Sequence, residues 1–187
     1  AVRHAREVAD SGGADDPSAL ATAAHALTFL GRDPEAGLAA SKRAVLLAPH
    51  CAVALRFCAW NRLYVGDWQV AVAEIERAMR LSPVDPEMHF FTTALGAAFF
   101  VGERYEEALE WLRRSIHDRP SYLLPYRLAA ACHALLGRAA EAREAVQALL
   151  ALSPDESLST VAVQSAMRDP QLRARYFDGL RKAGLPA

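Results

Sequence analysis

Four prolines recur at a nearly constant interval, and this regularity constrains the fold more than any other feature of the chain. The intervals between them are 34, 37 and 34 residues, and the four are Pro49, Pro83, Pro120 and Pro154. Four small residues upstream keep the same intervals, and they are Gly37, Ala71, Ala108 and Ala142. Because independent marks share one period, the sequence predicts an array of one repeated structural unit.

Each unit is predicted to be a pair of antiparallel α-helices. The proline ends the second helix, because the residue before a proline is pushed out of the α conformation. The small residue lies where the two helices come closest. Glycines recur at intervals of 35, 36 and 35 residues and are predicted to end the first helices in a left-handed conformation; they are Gly31, Gly66, Gly102 and Gly137. These interruptions exclude a long coiled coil.

Asp-Pro pairs add predicted helix starts, since the aspartate caps free N–H groups and proline suits the first helical position. The pairs are Asp16-Pro17, Asp33-Pro34, Asp85-Pro86 and Asp169-Pro170. Together the marks predict helices over residues 1–10, 17–30, 34–47, 51–65, 68–81, 86–101, 104–118, 122–136, 139–151, 157–167 and 170–183. Three extra residues after Pro83 predict a longer loop or first helix in that unit.

Composition agrees with an all-helical chain and narrows the classes of function. Roughly a fifth of the 187 residues are alanine, the best helix former. The formal net charge is −1, so nothing predicts a nucleic acid partner. The most apolar window, Phe90 to Val101, is too short and too interrupted by polar residues and glycine to span a membrane. No signal-peptide pattern is present, and a cytoplasmic location is expected.

At this point the chain resembles the tetratricopeptide repeat (TPR) family, whose period is 34 residues. The unit most similar to the family runs from Gly96 to Pro120, with Ala108 at the second-helix position and Tyr105 in the turn. The resemblance implies an all-α, right-handed superhelix of antiparallel helix pairs. Four repeats are expected over residues 17–154.

The two ends of the chain are predicted to differ from the repeats. Residues 1–16 resemble the end of an earlier, incomplete unit, and Ser11 to Asp16 is the most linker-like stretch. Residues 155–187 are expected to form capping helices, because a stack of repeats otherwise leaves an apolar end face. Tyr176, Phe177 and Leu180 are the predicted capping side chains. The chain begins without Met in helix-like sequence, so we expect it to be a fragment of a longer protein.

A narrower resemblance comes from the stretch Tyr176 to Pro186 together with Leu81 to Pro86. Both are similar to the C-terminal TPR regions of bacterial, rhizobial-type class III adenylate/guanylate cyclases. Related arrays follow winged-helix transcription regulators. In either setting the array would be a regulatory region, with the catalytic or DNA-binding domain upstream. Only Lys42 and Lys182 are lysine among 21 basic residues, which we interpret as a high-GC bacterial genome.

The sequence contains no recognisable catalytic constellation, so no enzymatic activity, cofactor or metal is predicted. The six histidines form neither HExxH nor HxxxH, and no phosphate-binding glycine loop or GxSxG turn occurs. The cysteines, Cys51, Cys58 and Cys132, form no CxxC and are predicted to be reduced thiols in apolar helices.

What remains is a surface for a protein or peptide. In the TPR family the first helix of each unit lines a concave groove, and the resemblance carries several aromatic and basic residues onto it. The predicted partner-binding residues are Phe29, Arg56, Trp60, Tyr64, Phe90, Phe100 and Arg127. Groove positions that hold a carboxylate clamp in some family members carry other residue types here, so that clamp is absent; they are Thr22, Ala26, Phe57 and Leu128.

Two functions stay open. The chain is either an interaction or scaffold module that binds a peptide, a protein or its own copy in a homodimer, or the regulatory C-terminus of a cyclase or transcription regulator. The groove is predicted to bind through apolar contacts, provided that Trp60 or Phe90 is partly open. The alternative reading of the aromatic residues is that they only fill space between helices, or that a terminal helix of the chain itself fills the groove.

Overall fold

The computed structural model describes residues 1–10 and 16–187, and over those ranges the chain is entirely helical with no strand. Eleven α-helices occur there: α1 (Val2–Asp10), α2 (Pro17–Phe29), α3 (Pro34–Leu47), α4 (Ala52–Tyr64), α5 (Trp68–Leu81), α6 (Met88–Val101), α7 (Tyr105–Asp118), α8 (Leu123–Leu135), α9 (Ala139–Leu152), α10 (Leu158–Gln164) and α11 (Pro170–Ala183). The predicted all-α fold is confirmed. Most of the predicted linker, residues 11–15, lies outside the described residues.

The chain divides into two compact units. In unit 1, residues 1–86, helices α2 and α3 form one pair, α4 and α5 form the next, and α1 packs on α2. In unit 2, residues 87–187, the pairs are α6 with α7 and α8 with α9. Helix α11 packs chiefly on α8, and α10 packs on α11.

The predicted small residues lie where paired helices approach most closely. Ala71, Ala108 and Ala142 have no exposed surface. Gly37 of α3 lies so close to α2 that an added Cβ would stand 1.8 Å from Oγ1 of Thr28 and 2.7 Å from the Ala24 carbonyl oxygen. No side chain fits there without moving the two helices apart.

The predicted left-handed conformation is confirmed at two of the four first-helix glycines, Gly66 and Gly137. In each pair one residue after the first helix is left-handed, and these residues recur at intervals of 34, 37 and 34. They are Arg32, Gly66, Glu103 and Gly137, with φ of 56°, 88°, 61° and 76°. Gly31 and Gly102 therefore precede the left-handed residue, which is the correction to the prediction. At Gly31 the constraint is steric, because a Cβ would stand 2.5 Å from the Leu27 carbonyl oxygen.

Three of the four Asp-Pro helix starts are confirmed. Asp16, Asp33 and Asp169 each accept hydrogen bonds from backbone N–H groups of the helix that follows. The fourth is wrong, because α6 begins at Met88 and the Asp85 carboxylate instead accepts from the Ser82 hydroxyl at 3.0 Å.

The three extra residues of the third repeat are divided between a loop and a helix. The loop before α6 covers residues 82–87, six residues, whereas the loops before α4 and α8 have four. Helix α6 has 14 residues, against 13 for α2, α4 and α8. The loop and the first helix are thus both longer in the third repeat.

Replacing Ala108 with Trp tests the packing register of the pairs. The added ring has no space between α6 and α7, so we expect the free energy of unfolding to fall by about 1–3 kcal/mol or more. Urea denaturation measures the loss. Ala148→Trp is the matched control, because Ala148 is exposed on α9. Equal stability of the two variants would contradict the register.

Candidate protein-binding surface

The seven predicted partner-binding residues fall into both units. Unit 1 contains Phe29 on α2 and three residues on α4; unit 2 contains the remaining three, on α6 and α8. The α4 residues are Arg56, Trp60 and Tyr64, and those of unit 2 are Phe90, Phe100 and Arg127. All seven lie on first helices of their pairs, as the repeat spacing predicted.

In unit 1 aromatic rings from α2 and α4 form one continuous cluster, which we call the α2–α4 aromatic surface. Its members are His25, Phe29, Phe57, Trp60 and Tyr64. The His25 ring stacks on Phe57 with centroids 4.8 Å apart, and on Phe29 at 5.9 Å and Tyr64 at 6.5 Å. Trp60 and Tyr64 are 6.4 Å apart. The imidazole therefore lies at the centre and joins the two helices.

The cluster has a buried part and an open part. Phe29 is 37% exposed, and Tyr64 is partly exposed. Trp60 is only 7% exposed. The guanidinium of Arg56, also 7% exposed, lies over the Phe57 ring at 4.9 Å. Phe29 and Tyr64 are thus the more open rings of the cluster, whereas Trp60 and Arg56 are nearly buried beside Tyr64 and Phe57.

Burial and charge change the acidity of His25. Burial lowers the pKa of its imidazole from the usual 6.5 to about 4, and the nearby positive charge of Arg56 acts in the same direction. Its Nδ1 is buried without a hydrogen-bond partner. At neutral pH the His25 ring, at the centre of this surface, is therefore uncharged.

Phe90 belongs to a second, smaller ring cluster in unit 2. It lies 4.2 Å from the His89 ring and 5.1 Å from the Tyr122 ring, which it meets edge to face. Phe90 is half-buried. The condition that Trp60 or Phe90 be partly open is therefore met by Phe90, and Trp60 does not meet it.

Phe100 and Arg127 are covered by the chain itself. Phe100 has no exposed surface, and the Tyr176 ring of α11 meets it edge to face with centroids 5.7 Å apart. Arg127 is 7% exposed; its Nη2 lies 2.7 Å from Oε1 of Glu156 and donates to Gln164 at 2.9 Å. Neither side chain is open to an external partner while the C-terminal residues occupy these positions.

Helix α11 lies directly on groove positions of unit 2. At Gly179 an added Cβ would stand 2.9 Å from the Cβ of Ala131 on α8, so the two helices touch through their backbones. The capping side chains Tyr176 and Leu180 are buried, and Phe177 is partly exposed. The chain's own terminal helix thus fills the inner face of α8, as one of the alternatives anticipated.

Sequence reasoning did not assign His25 or Tyr122 to a binding surface, and it placed Phe57 at a groove position only as a residue that replaces the carboxylate clamp. A signal for His25 was available, because it precedes Phe29 by four residues, and residues at i and i+4 share one face of a helix. Phe57 lies three residues before Trp60 on α4. For Tyr122, in the loop before α8, no local pattern exists, since its contacts with His89 and Phe90 are long-range.

The thiols have the properties of packing groups. Burial raises the pKa of Cys58 to about 11 and that of Cys132 to about 12, so both thiols stay protonated at neutral pH. Among the described residues there is no group of three or more His, Cys, Asp or Glu that could hold a metal ion. Within that same part of the chain, no helix is long and apolar enough to cross a membrane.

Comparison with known proteins supports the TPR family. The tetratricopeptide repeat family model matches residues 59–122. A search of curated proteins finds no match. The narrower resemblance to cyclase C-terminal regions gains no support from these comparisons.

Solved structures show the same fold. PilW, a widely conserved type IV pilus biogenesis factor, is similar with a TM-score of 0.74 at 15% identity, over 94% of this chain and 82% of that chain. TTC0263, a thermophilic TPR protein of Thermus thermophilus, gives 0.63 at 23% identity, over 89% and 98%. YrrB, a TPR protein with an unusual peptide-binding site, gives 0.58 at 18%, over 98% and 92%. At these identities the similarity shows the fold alone.

The lowered pKa of His25 predicts a pH-dependent stability. The unfolded chain takes up a proton near pH 6.5 and the folded chain only near pH 4, so stability falls as the pH falls through this window. Between pH 7 and pH 5 we expect His25 to account for a loss on the order of 1–2 kcal/mol.

Urea denaturation of wild type and His25→Gln at both pH values measures this loss. The variant should lose less stability than wild type on acidification. His117→Gln, at an exposed position of α7, should behave as wild type does. If His25→Gln lost as much stability as wild type between pH 7 and pH 5, this result would contradict the buried, neutral imidazole.

Proposed function

We propose that this chain is a non-catalytic protein-interaction module, and that a peptide or protein binds the α2–α4 aromatic surface of unit 1. The observation that carries the proposal is the exposure of rings inside an otherwise packed helical array: Phe29 is 37% exposed and Tyr64 partly so, above a buried layer. Aromatic rings provide large contact area at low rotamer entropy and are enriched among residues that dominate binding energies.

The surface has the two layers that a binding site needs. Trp60 and Arg56, both nearly buried, contact Tyr64 and Phe57 respectively, and the stacked His25 connects α2 with α4. A partner would therefore meet a preorganised apolar surface and would lose little entropy in ordering it. The neutral state of His25 at pH 7 keeps a charge out of its centre. YrrB, whose fold is similar, has a peptide-binding site, which agrees with this proposal.

The predicted partner-binding residues of unit 2 have a smaller part in the proposal. Phe90 is half-buried within its own ring cluster and offers a second apolar contact. Phe100 and Arg127 are engaged by Tyr176 and Glu156. We therefore assign the first contact with a partner to Phe29 and Tyr64. The regulatory region of a cyclase or transcription regulator stays an alternative for the longer protein, and the same surface would serve it.

A displayed random-peptide library, selected against the full chain, tests the assignment. We expect enriched peptides that bind wild type and lose about tenfold in affinity, or about 1.4 kcal/mol, in each of Phe29→Ala and Tyr64→Ala. Both variants should keep the wild-type fold, because the substituted rings are only partly buried. Isothermal titration with one synthetic peptide gives the dissociation constants.

Leu46→Ala is the matched control, because Leu46 is an 80% exposed apolar side chain on α3, outside the α2–α4 aromatic surface. Its affinity for the peptide should equal that of wild type. Selected peptides that bind both ring variants as tightly as wild type, or a library that yields no binder, would contradict the proposed site.

A further inference from the structure

The C-terminal residues of unit 2 form a segment whose two ends are joined by a hydrogen bond. We call residues 156–187 the C-terminal segment; it contains α10 and α11. The backbone N–H of Leu158, at its start, donates to the carbonyl oxygen of Pro186, near its end, at 2.7 Å. Helix α10 packs on α11, and a capping box between Ser157 and Thr160 closes its N-terminus. The segment thus holds its own ends together.

A short connection joins this segment to the repeats. Helix α9 ends at Leu152, and residues 153–155 lead to Glu156. Pro154 and Asp155 are exposed. A change of direction at these three residues would carry the whole segment away without disturbing a helix or a buried side chain of the connection.

The contacts between the segment and the repeats resemble those of a protein–protein interface. Two arginines and a tyrosine take part in them, which are residue types enriched at interfaces. Arg127 of α8 pairs with Glu156, and Tyr176 lies against Phe100. In the opposite direction, Arg175 of α11 reaches the end of α6, where Nη1 lies 2.7 Å from Oε1 of Glu103.

The end of α6 carries a strained residue at this contact. Glu103 adopts a left-handed conformation with φ of 61°, which is unfavourable for a residue with a side chain. Arg175 holds this turn at two points, since it also donates from Nη2 to the Val101 carbonyl oxygen at 2.9 Å. The C-terminal segment therefore contacts this turn at its strained residue, Glu103.

We propose that the inner face of unit 2 is a helix-binding groove that also accepts the C-terminal segment of a second copy, so that two chains exchange residues 156–187 and form a dimer. The contacts are the same within one chain and between two, so only the connection and the chain concentration decide between the two states. This site lies in unit 2 and is independent of the α2–α4 aromatic surface.

Charge reversal at Arg175 and Glu103 tests the exchange in the 187-residue chain. Each single reversal, Arg175→Glu or Glu103→Arg, places two like charges at the contact. This holds when the segment packs on its own chain and also when two copies of the same variant exchange it. In a mixed dimer both contacts are complementary. At one of them the introduced glutamate meets the introduced arginine, and at the other the native Arg175 meets the native Glu103. We expect the mixture to contain several times more dimer than either variant alone, measured by light scattering after size-exclusion chromatography.

The double variant, with both reversals in one chain, restores the contact internally and should behave as wild type does. A mixture with no more dimer than its separate components would overturn the proposal. Failure here leaves peptide binding at Phe29 and Tyr64 unchanged, so the two proposals are tested separately.

Discussion

The close approach of paired helices at small residues is the contact on which the rest of the structure depends. At Gly37 the backbone of α3 lies against Thr28 and the Ala24 carbonyl of α2, and no added Cβ fits between them. Fully buried alanines occupy the equivalent positions of the other three pairs. With the pairs fixed in this way, the first helix of each pair has a second face that its partner does not cover, and the predicted partner-binding residues lie there.

The two units use that second face differently, and the difference comes from side chains rather than from the fold. In unit 1, His25 stacks between rings of α2 and α4, and Phe29 stays partly open. In unit 2 the equivalent of Phe29 is Phe100, which Tyr176 covers. One repeated scaffold thus offers an aromatic surface in one unit and a groove with a helix in the other.

Most of the fold could be predicted from the sequence, because period, small residues and helix caps are local signals. Helix α11, from Pro170 to Ala183, is an example. The left-handed turns at Arg32 and Glu103 could not be predicted, since glycine lies one residue earlier in each. The covering of Phe100 by Tyr176 was also beyond local reasoning, because it depends on where α11 packs after the stretch 153–169, which includes α10.

The central claim is that α11 covers the inner face of α8 in unit 2, whereas the α2–α4 aromatic surface of unit 1 stays open. Hydroxyl-radical footprinting of the native protein tests this claim most directly. Phe29 and Tyr64, which are partly exposed, should be oxidised readily, whereas Phe100 and Tyr176 should be protected until the protein unfolds. Oxidation of Tyr176 as fast as that of Tyr64 would show that α11 does not occupy the inner face of α8. That result would contradict this account.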